Sequence, residues 1–290
     1  MSTITHALSI DLEDYFMVSA FEPFVPKSSW GQFESRIERN TNKVLSLLEE
    51  GGAKATFFTV GWVGEKYPAL VRRIRSLGHE IASHGYHHQL IYDQTPDEFR
   101  ADVRRTKQLL EDASGTAVVG YRAPSFSVVE RTRWALQILK EEGYRYDASI
   151  LPAAHARGGM KEFGRFPCSV NGLFEFPMST FQMGKKRFPF SGGGYFRLFP
   201  YSIIRAGIRR CAAEHQPAVV YLHPWEFDPD QPRLSGSWKD RFKHYLNLRS
   251  TEPKFRRLLS DFRFGTVQDV LRQFPGFAPA ESEAQLAERL

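Results

Sequence analysis

Cysteine is scarce in this chain of 290 residues, and long apolar runs are missing from it. Two cysteines, Cys168 and Cys211, are too few for a disulfide framework or a thiolate metal cluster, so a metal here would need nitrogen and oxygen ligands. No stretch approaches the roughly 18 uninterrupted apolar residues of a membrane span, and the first residues lack the pattern of an export signal. We therefore expect a cytoplasmic protein without an integral membrane segment.

Charge of one sign is also not concentrated in any long stretch. Lys and Arg number 39 against 33 Asp and Glu, for a net charge of +6, and the basic clusters are short and scattered. This pattern does not favour a nucleic acid partner. An anionic sugar or a phospholipid-linked substrate at a membrane surface suits the charge equally well, so peripheral membrane association stays open, as does the oligomeric state.

Short apolar runs alternate with segments of helical periodicity from residue 5 to about 150. This order predicts parallel strands joined by crossover helices. Strands are predicted at 6–10, 55–60, 80–83, 118–121 and 144–147, and helices at 35–50, 68–76, 96–112 and 131–142. The third helix has the clearest start, because Thr95, Pro96 and Glu98 form a capping-box signature.

The rhythm changes after Leu151. An insertion rich in aromatic residues, Gly and Pro is predicted at about 153–200, with a strand at 173–176. A helix at about 201–214, a buried strand at 218–222 and a helical extension at about 236–275 follow. Because the sequence contains no internal repeats and no clear linker, we predict one domain over 1–278, with a loose tail at 279–290.

Ionisable side chains stand at or after the ends of the predicted strands. They are Asp11, His84, Arg122, Asp147 and His223. Because the carboxyl ends of parallel strands converge on one face of a sheet or barrel, this pattern predicts an active site there.

His84 and His88 have the spacing of two imidazoles that can reach one metal ion. The acidic run Asp-Leu-Glu-Asp at 11–14 offers a third ligand and a second carboxylate that stays free as a base. Such a set leaves coordination positions open, as in catalytic metal sites. Two simpler interpretations are also open. The histidines could lie in a surface loop without a metal, and the acidic run could cap a turn or pair with Lys27.

Arg122 and His223 suit proton chemistry. A guanidinium at position 122 could hold a carboxylate ionised, and an imidazole at position 223 could deliver a proton. Either Glu226 or Asp228 could hydrogen-bond that imidazole. Taken alone, Arg122 would be interpreted as an ordinary surface arginine and His223 as an ordinary core histidine.

Together these residues resemble the polysaccharide deacetylase family, also called NodB-homology or carbohydrate esterase 4. The resemblance covers about 5–225 and rests on motifs in the family's order: Ser-Ile-Asp at 9–11, His-x-x-x-His at 84–88, Arg-x-Pro at 122–124, Asp-x-Ser at 147–149 and Leu-His at 222–223. Three segments, at 11–16, 191–197 and 223–228, are similar to a subgroup from bacterial exopolysaccharide biosynthesis.

The resemblance implies a distorted (β/α)7 barrel and a divalent metal, usually Zn²⁺, with Co²⁺ or Ni²⁺ as substitutes. It assigns these roles by motif: general base to Asp11, its partner to Arg122, general acid to His223, and metal ligands to His84 and His88. For the third ligand it favours Asp14 over Glu13, because an aspartate is usual in the family. The oxyanion would be stabilised by a backbone amide near Ser125 or Phe126.

The implied substrate is an acetylated sugar, an oligosaccharide or a lipid-linked saccharide, with the acetyl group most often on nitrogen. We predict that Phe126, Asp147, Tyr195 and Trp225 bind it, since flat rings suit the apolar faces of pyranoses. Two alternatives are a related amidase that opens a non-sugar amide or cyclic ureide, as in allantoinase-like relatives, and a non-catalytic carbohydrate-binding relative.

Overall fold

The protein is built on a curled half-barrel sheet, seen in a computed structural model that describes residues 4–155, 158–184 and 186–277. The predicted tail at 279–290 lies outside these residues. The strands are β1 (Thr5–Leu12), β2 (Thr56–Thr59), β3 (Glu80–Ser83), β4 (Gly120–Tyr121), β5 (Tyr146–Asp147), β6 (Cys168–Val170), β7 (Leu173–Glu175), β8 (Thr180–Met183), β9 (Lys186–Pro189), β10 (Val219–Leu222) and β11 (Arg263–Gly265).

Most strands of the main sheet run parallel, in the order β10, β1, β2, β3, β4, β5, β7, β6. The β6–β7 pair is antiparallel, and β8 and β9 form a separate antiparallel hairpin. Strand β11 pairs with the first residues of β1. The sheet therefore includes strands from both the alternating first half and the irregular second half of the chain.

Helices connect and cover the strands. They are α1 (Ile37–Glu50), α2 (Gly61–Lys66), α3 (Pro68–Ser76), α4 (Pro96–Ser114), α5 (Trp134–Glu141), α6 (Gly193–Leu198), α7 (Tyr201–Ala213), α8 (Trp238–Tyr245), α9 (Thr251–Asp261) and α10 (Val267–Leu271). The capping box predicted for α4 is confirmed, because Glu98 N–H donates to Thr95 Oγ1 and Thr95 N–H donates to Glu98 Oε2. Within the described ranges, none of these helices has both the length and the apolar character that crossing a bilayer requires.

Strand β1 sets the position of the candidate site. It pairs with β10 along one edge and with β2 and β11 along the other, and it is almost entirely buried. Leu8, Ile10 and Leu12 pack with the hydrophobic residues under the helices. Since side chains alternate along a strand, Ser9 and Asp11 point to the opposite side, into the concave interior of the sheet.

The predicted strands all form, although several are shorter at their ends. Two helices, α2 and α6, and four strands, β6, β8, β9 and β11, were not predicted. Strand β11 has only three residues, Arg-Phe-Gly, which carry no alternating pattern. It is a strand because it pairs with the first residues of β1, along the part of that edge that β2 does not reach, and the local sequence does not contain that information.

Candidate active site

Asp11 and Arg122 form a buried ion pair at the carboxyl end of β1. Arg122 Nη1 donates to Asp11 Oδ1 at 2.6 Å and to Ser9 Oγ at 2.8 Å, and its Nε donates to the carbonyl of Ala148 at 3.1 Å. Arg122 is fully buried, and Asp11 is almost so. The guanidinium thus fixes one carboxylate oxygen of Asp11 and leaves the other facing the cavity.

Glu13, His84 and His88 come together beside Asp11. One ligand atom from each lies within 4.8 Å of the others, and all three residues are buried. His88 Nε2 is 2.8 Å from Glu13 Oε2, yet among the described residues that oxygen accepts no well-directed hydrogen bond. Buried polar atoms normally have partners, so atoms that converge in this way are suited to a shared cation.

The protonation of these residues suits metal binding. His84 Nδ1–H donates to the carbonyl of Arg122 at 2.7 Å, which leaves Nε2 with its lone pair. Burial lowers the pKa of His84 to about 4, so the ring is neutral. Burial alone would raise the pKa of Glu13, but the imidazoles of His88, His223 and His84 outweigh burial and lower it, so Glu13 is a carboxylate.

The structure places Glu13, and not the expected Asp14, in the cluster with His84 and His88. Asp14 Oδ2 accepts from Ser35 Oγ at 2.8 Å and from Arg36 N–H at 2.9 Å, and Oδ1 accepts from Tyr15 N–H at 2.9 Å. Burial raises the pKa of Asp14 to about 6, although these hydrogen bonds oppose the rise. Asp14 therefore organises the turn before α1 and lies outside the cluster of Glu13, His84 and His88.

His223 lies opposite Asp11 at the end of β10. Its Nε2 is 3.9 Å from Asp11 Oδ2 and 3.7 Å from Glu13 Oε1, while its Nδ1 is 3.0 Å from Glu226 Oε2. Burial would lower the pKa of His223, but Glu226, by charge and hydrogen bond, and the carboxylates of Glu13 and Asp11 raise it to about 9. A cation on Glu13 would cancel that part of the shift and leave Glu226 as the main cause.

Glu226 is in turn held by Arg197, a residue that the sequence did not single out. Arg197 Nε donates to Glu226 Oε1 at 2.7 Å, and its Nη1 donates to the carbonyls of His244 and Leu246, both at 2.8 Å. Arg197 and Glu226 are buried. Of the two acids considered for His223, the structure selects Glu226. Asp228 instead faces α1, where Asn40 Nδ2 lies 3.4 Å away.

Trp225 supports both sides of the site. Its Nε1–H donates to Glu13 Oε1 at 3.1 Å, and its ring stacks between His223 and His244, at centroid distances of 5.1 and 4.1 Å. The predicted cleft position is therefore correct, but the indole also fixes the carboxylate of Glu13 and the plane of His223.

Asp147, expected to contact substrate, lies behind the site. Its Oδ1 accepts from Ser149 Oγ, and Ser149 Oγ accepts from the N–H of Ala123 at 2.7 Å. Burial and the neighbouring carboxylate raise the pKa of Glu175 well above its ordinary value, and burial also raises that of Asp147. The prediction is corrected: Asp147 is fully buried away from the cavity, and through Ser149 it holds the segment after β4 in place.

A cavity of about 530 Å³ opens over these groups. Of the predicted site residues, it is lined by Asp11, His84, His88, Phe126, Tyr195, His223 and Trp225. The ring of Phe126 packs edge-on against Tyr221, and Tyr195 comes from α6. The volume is enough for a small oligosaccharide unit, and most of its lining is apolar.

Ser19 and Ser125 tie the loops on one side of the cavity. Ser19 Oγ lies 3.0 Å from Ser125 Oγ and 3.4 Å from His88 Nδ1. Ser125 and Phe126 both have left-handed backbones, with φ values of 51° and 54°. Phe126 N–H donates to the carbonyl of Ala123, so of the two amides expected to face an oxyanion, that of Ser125 is the better candidate.

The fold and the site together define an α/β protein of curled parallel strands with its candidate active site at their carboxyl ends. Residues 23–146 match the family described as polysaccharide deacetylase, and residues 148–272 match a domain of unknown function (DUF3473). The polysaccharide deacetylase match therefore covers fewer than half of the residues of this chain. The expected NodB-type barrel fold is confirmed, in its half-barrel form.

Two curated relatives and one solved structure illustrate the likeness. The chain is 35% identical over 98 residues to a peptidoglycan-N-acetylglucosamine deacetylase of Bacillus cereus, covering 33% of this chain and 36% of the relative. It is 31% identical over 100 residues to a chitooligosaccharide deacetylase of Azorhizobium caulinodans, covering 34% and 45%. The chain thus spans less than half the length of these relatives.

The structural match extends further than the sequence matches. A crystal structure of a protein from Mycobacterium smegmatis, provisionally assigned as a polysaccharide deacetylase, superposes with a TM-score of 0.59 over 98% of this chain and 96% of that one. The two are 18% identical, so the match establishes the fold.

Proposed function

We propose that this protein is a metal-dependent deacetylase that removes an acetyl group from a sugar by hydrolysis. Within this proposal, the acetyl group is carried on nitrogen. One observation carries the proposal: a cluster of Glu13, His84 and His88 shares a cavity with a carboxylate, Asp11, and with an imidazole, His223, on the opposite side. Two nitrogens and one oxygen leave positions open for water and substrate, as in catalytic metal sites.

Glu13, His84 and His88 would hold the metal. Two imidazole nitrogens and one carboxylate fit Zn²⁺, and they also accept Co²⁺ or Ni²⁺. When bound, the ion lowers the pKa of a water molecule towards about 7 and polarises an acyl carbonyl. Arg122 links the cluster to Asp11, because its backbone carbonyl accepts a hydrogen bond from His84 and its guanidinium donates one to Asp11.

Asp11 and His223 would move the protons. The Oδ2 atom of Asp11 faces the cavity and is free to accept a proton from the attacking water, while Arg122 holds the other oxygen in place. His223 is kept protonated by Glu226 and can donate from Nε2 to the departing amine. The N–H of Ser125 would stabilise the oxyanion, since the N–H of Phe126 is already bonded to the carbonyl of Ala123.

The sugar substrate is supported by chemistry and by relatives. Tyr195 and Phe126 offer aromatic surface on the cavity wall. The two named relatives are a peptidoglycan-N-acetylglucosamine deacetylase and a chitooligosaccharide deacetylase. Within this proposal, the three segments at 11–16, 191–197 and 223–228 favour a saccharide of exopolysaccharide biosynthesis. The cytoplasmic location stays a prediction.

The test compares two neighbouring histidines. We expect the purified protein to hold close to one divalent ion per chain and to release acetate from N-acetylglucosamine oligomers. His88→Ala should lose both properties, whereas the control His87→Ala should keep both, because His87 packs against Trp30 and Tyr86 outside the cluster.

Each other result would contradict part of the proposal. Metal binding without acetate release from any acetylated sugar would favour a carbohydrate-binding protein. Hydrolysis of a cyclic ureide but not of the sugar would favour the related amidase. Full activity in His88→Ala would reject the metal site.

A further inference from the structure

Helix α8 exposes two large aromatic side chains to solvent. Trp238 is 72% exposed and Phe242 is 59% exposed. They are four residues apart, so they lie on the same face of the helix. Exposed aromatic pairs of this kind commonly mark an interaction surface.

Basic residues flank this aromatic face. The segment 233–243 contains four basic residues and one acidic residue, Asp240. Lys239 lies on one side of the aromatic pair and Arg241 on the other, and both are exposed. Aromatic residues bordered by Lys and Arg are typical of helices that lie in the headgroup region of a bilayer.

The same helix forms part of the wall of the candidate active site. Asp240 and Lys243 line the cavity. The carbonyl of Lys243 accepts a hydrogen bond from Arg197 Nη1 at 3.1 Å, and Arg197 in turn holds Glu226. Helix α8 therefore has its aromatic face on one side and its cavity-lining residues, Asp240 and Lys243, on the other.

We propose that α8 docks this protein on an anionic lipid surface. Trp238 and Phe242 would enter the headgroup region, and Lys239 and Arg241 would contact lipid phosphates. An anionic membrane suits this segment better than a protein partner, because the excess of positive charge surrounds the aromatic pair on both sides. Resting on the proposed function, the consequence is that the acetylated sugar reaches the cavity while attached to a lipid.

The test is co-sedimentation of the protein with phosphatidylcholine vesicles, with and without phosphatidylglycerol. We expect binding only when phosphatidylglycerol is present, and weaker binding as salt is added. Lys239→Ala with Arg241→Ala should weaken binding by about fivefold for each residue removed. The separate double variant Trp238→Ala with Phe242→Ala should lose most of the vesicle binding that the parent protein shows at moderate salt.

The control removes the same charge from another exposed helix. Arg72→Ala with Arg73→Ala, on α3, should bind vesicles like the parent protein. The proposal is overturned if the parent does not bind anionic vesicles, if the aromatic double variant binds as well as the parent, or if the α3 variant loses as much binding as the α8 variant.

Acetate release from soluble N-acetylglucosamine oligomers is measured in parallel. The α8 variants should retain it, since none of the four altered side chains lines the cavity. Vesicle binding without any acetate release would contradict the proposed deacetylase activity but not the docking surface. Acetate release without vesicle binding would contradict the docking surface but not the deacetylase activity.

Discussion

Two neighbouring carboxylates after β1 give the sharpest test of the site, because the structure assigns them different tasks. Glu13→Gln replaces the carboxylate that faces His84 and His88, while its Oε1 can still accept from Trp225. We expect metal affinity to fall at least about 100-fold, since even the outer partners of metal ligands are worth about 10- to 100-fold. Acetate release should fall with it.

Asp14→Asn should instead reduce stability and spare the metal. The amide group would replace the oxygen that accepts from both Ser35 Oγ and Arg36 N–H. The hydroxyl of Ser35 can turn to accept, but the partly buried N–H of Arg36 would lose its acceptor, at a cost of about 1 kcal/mol. The melting temperature should fall by several degrees.

The assay combines metal titration by calorimetry with thermal unfolding in the presence of a chelator. The two variants should separate: Glu13→Gln loses metal affinity, and Asp14→Asn loses thermal stability with its metal affinity kept. The reasoning is refuted if Asp14→Asn abolishes metal binding while Glu13→Gln retains it.

Two further predictions concern protons. Glu226→Gln removes the main charge that raises the pKa of His223 to about 9, so the fall of kcat at alkaline pH should move to lower pH; an unchanged pH profile would exclude this role. Burial lowers the pKa of His6 to about 4, and its Nδ1 accepts from Ala218 N–H. As the pH falls, His6 therefore binds a proton in the unfolded chain at a higher pH than in the folded protein. The free energy of unfolding should decline from about pH 6.5 towards pH 4, and His6 contributes at most roughly 3 kcal/mol to this decline. His6→Gln should reduce that decline in urea unfolding measured across this range, and an identical slope in both proteins would contradict the assignment.

The strands and most helices could be predicted because their signals are local. Alternating apolar runs, the capping box at Thr95 and ionisable residues after apolar strands need no knowledge of distant contacts. Parallel strand ends then bring Asp11, His84 and His223 together by geometry. The same alternation could have separated Glu13 from Asp14, since residues two apart on a strand share a face and Asp11 points inward.

Other features depend on contacts that no local pattern carries. Arg197 reaches Glu226 from α6, and Asp147 meets Glu175 across neighbouring strands, so neither partnership follows from the spacing of the residues. Strand β11 is likewise defined by the free edge of β1.

The sequence by itself determined the parallel α/β architecture and the chemistry available at its strand ends, because periodicity and residue type act over a few neighbouring positions. Only the tertiary structure decided which carboxylate faces the two imidazoles, which acid holds His223 and which aspartate is buried out of reach. Those outcomes depend on the direction in which each side chain points once the sheet has curled, and on hydrogen-bond partners far away in the chain.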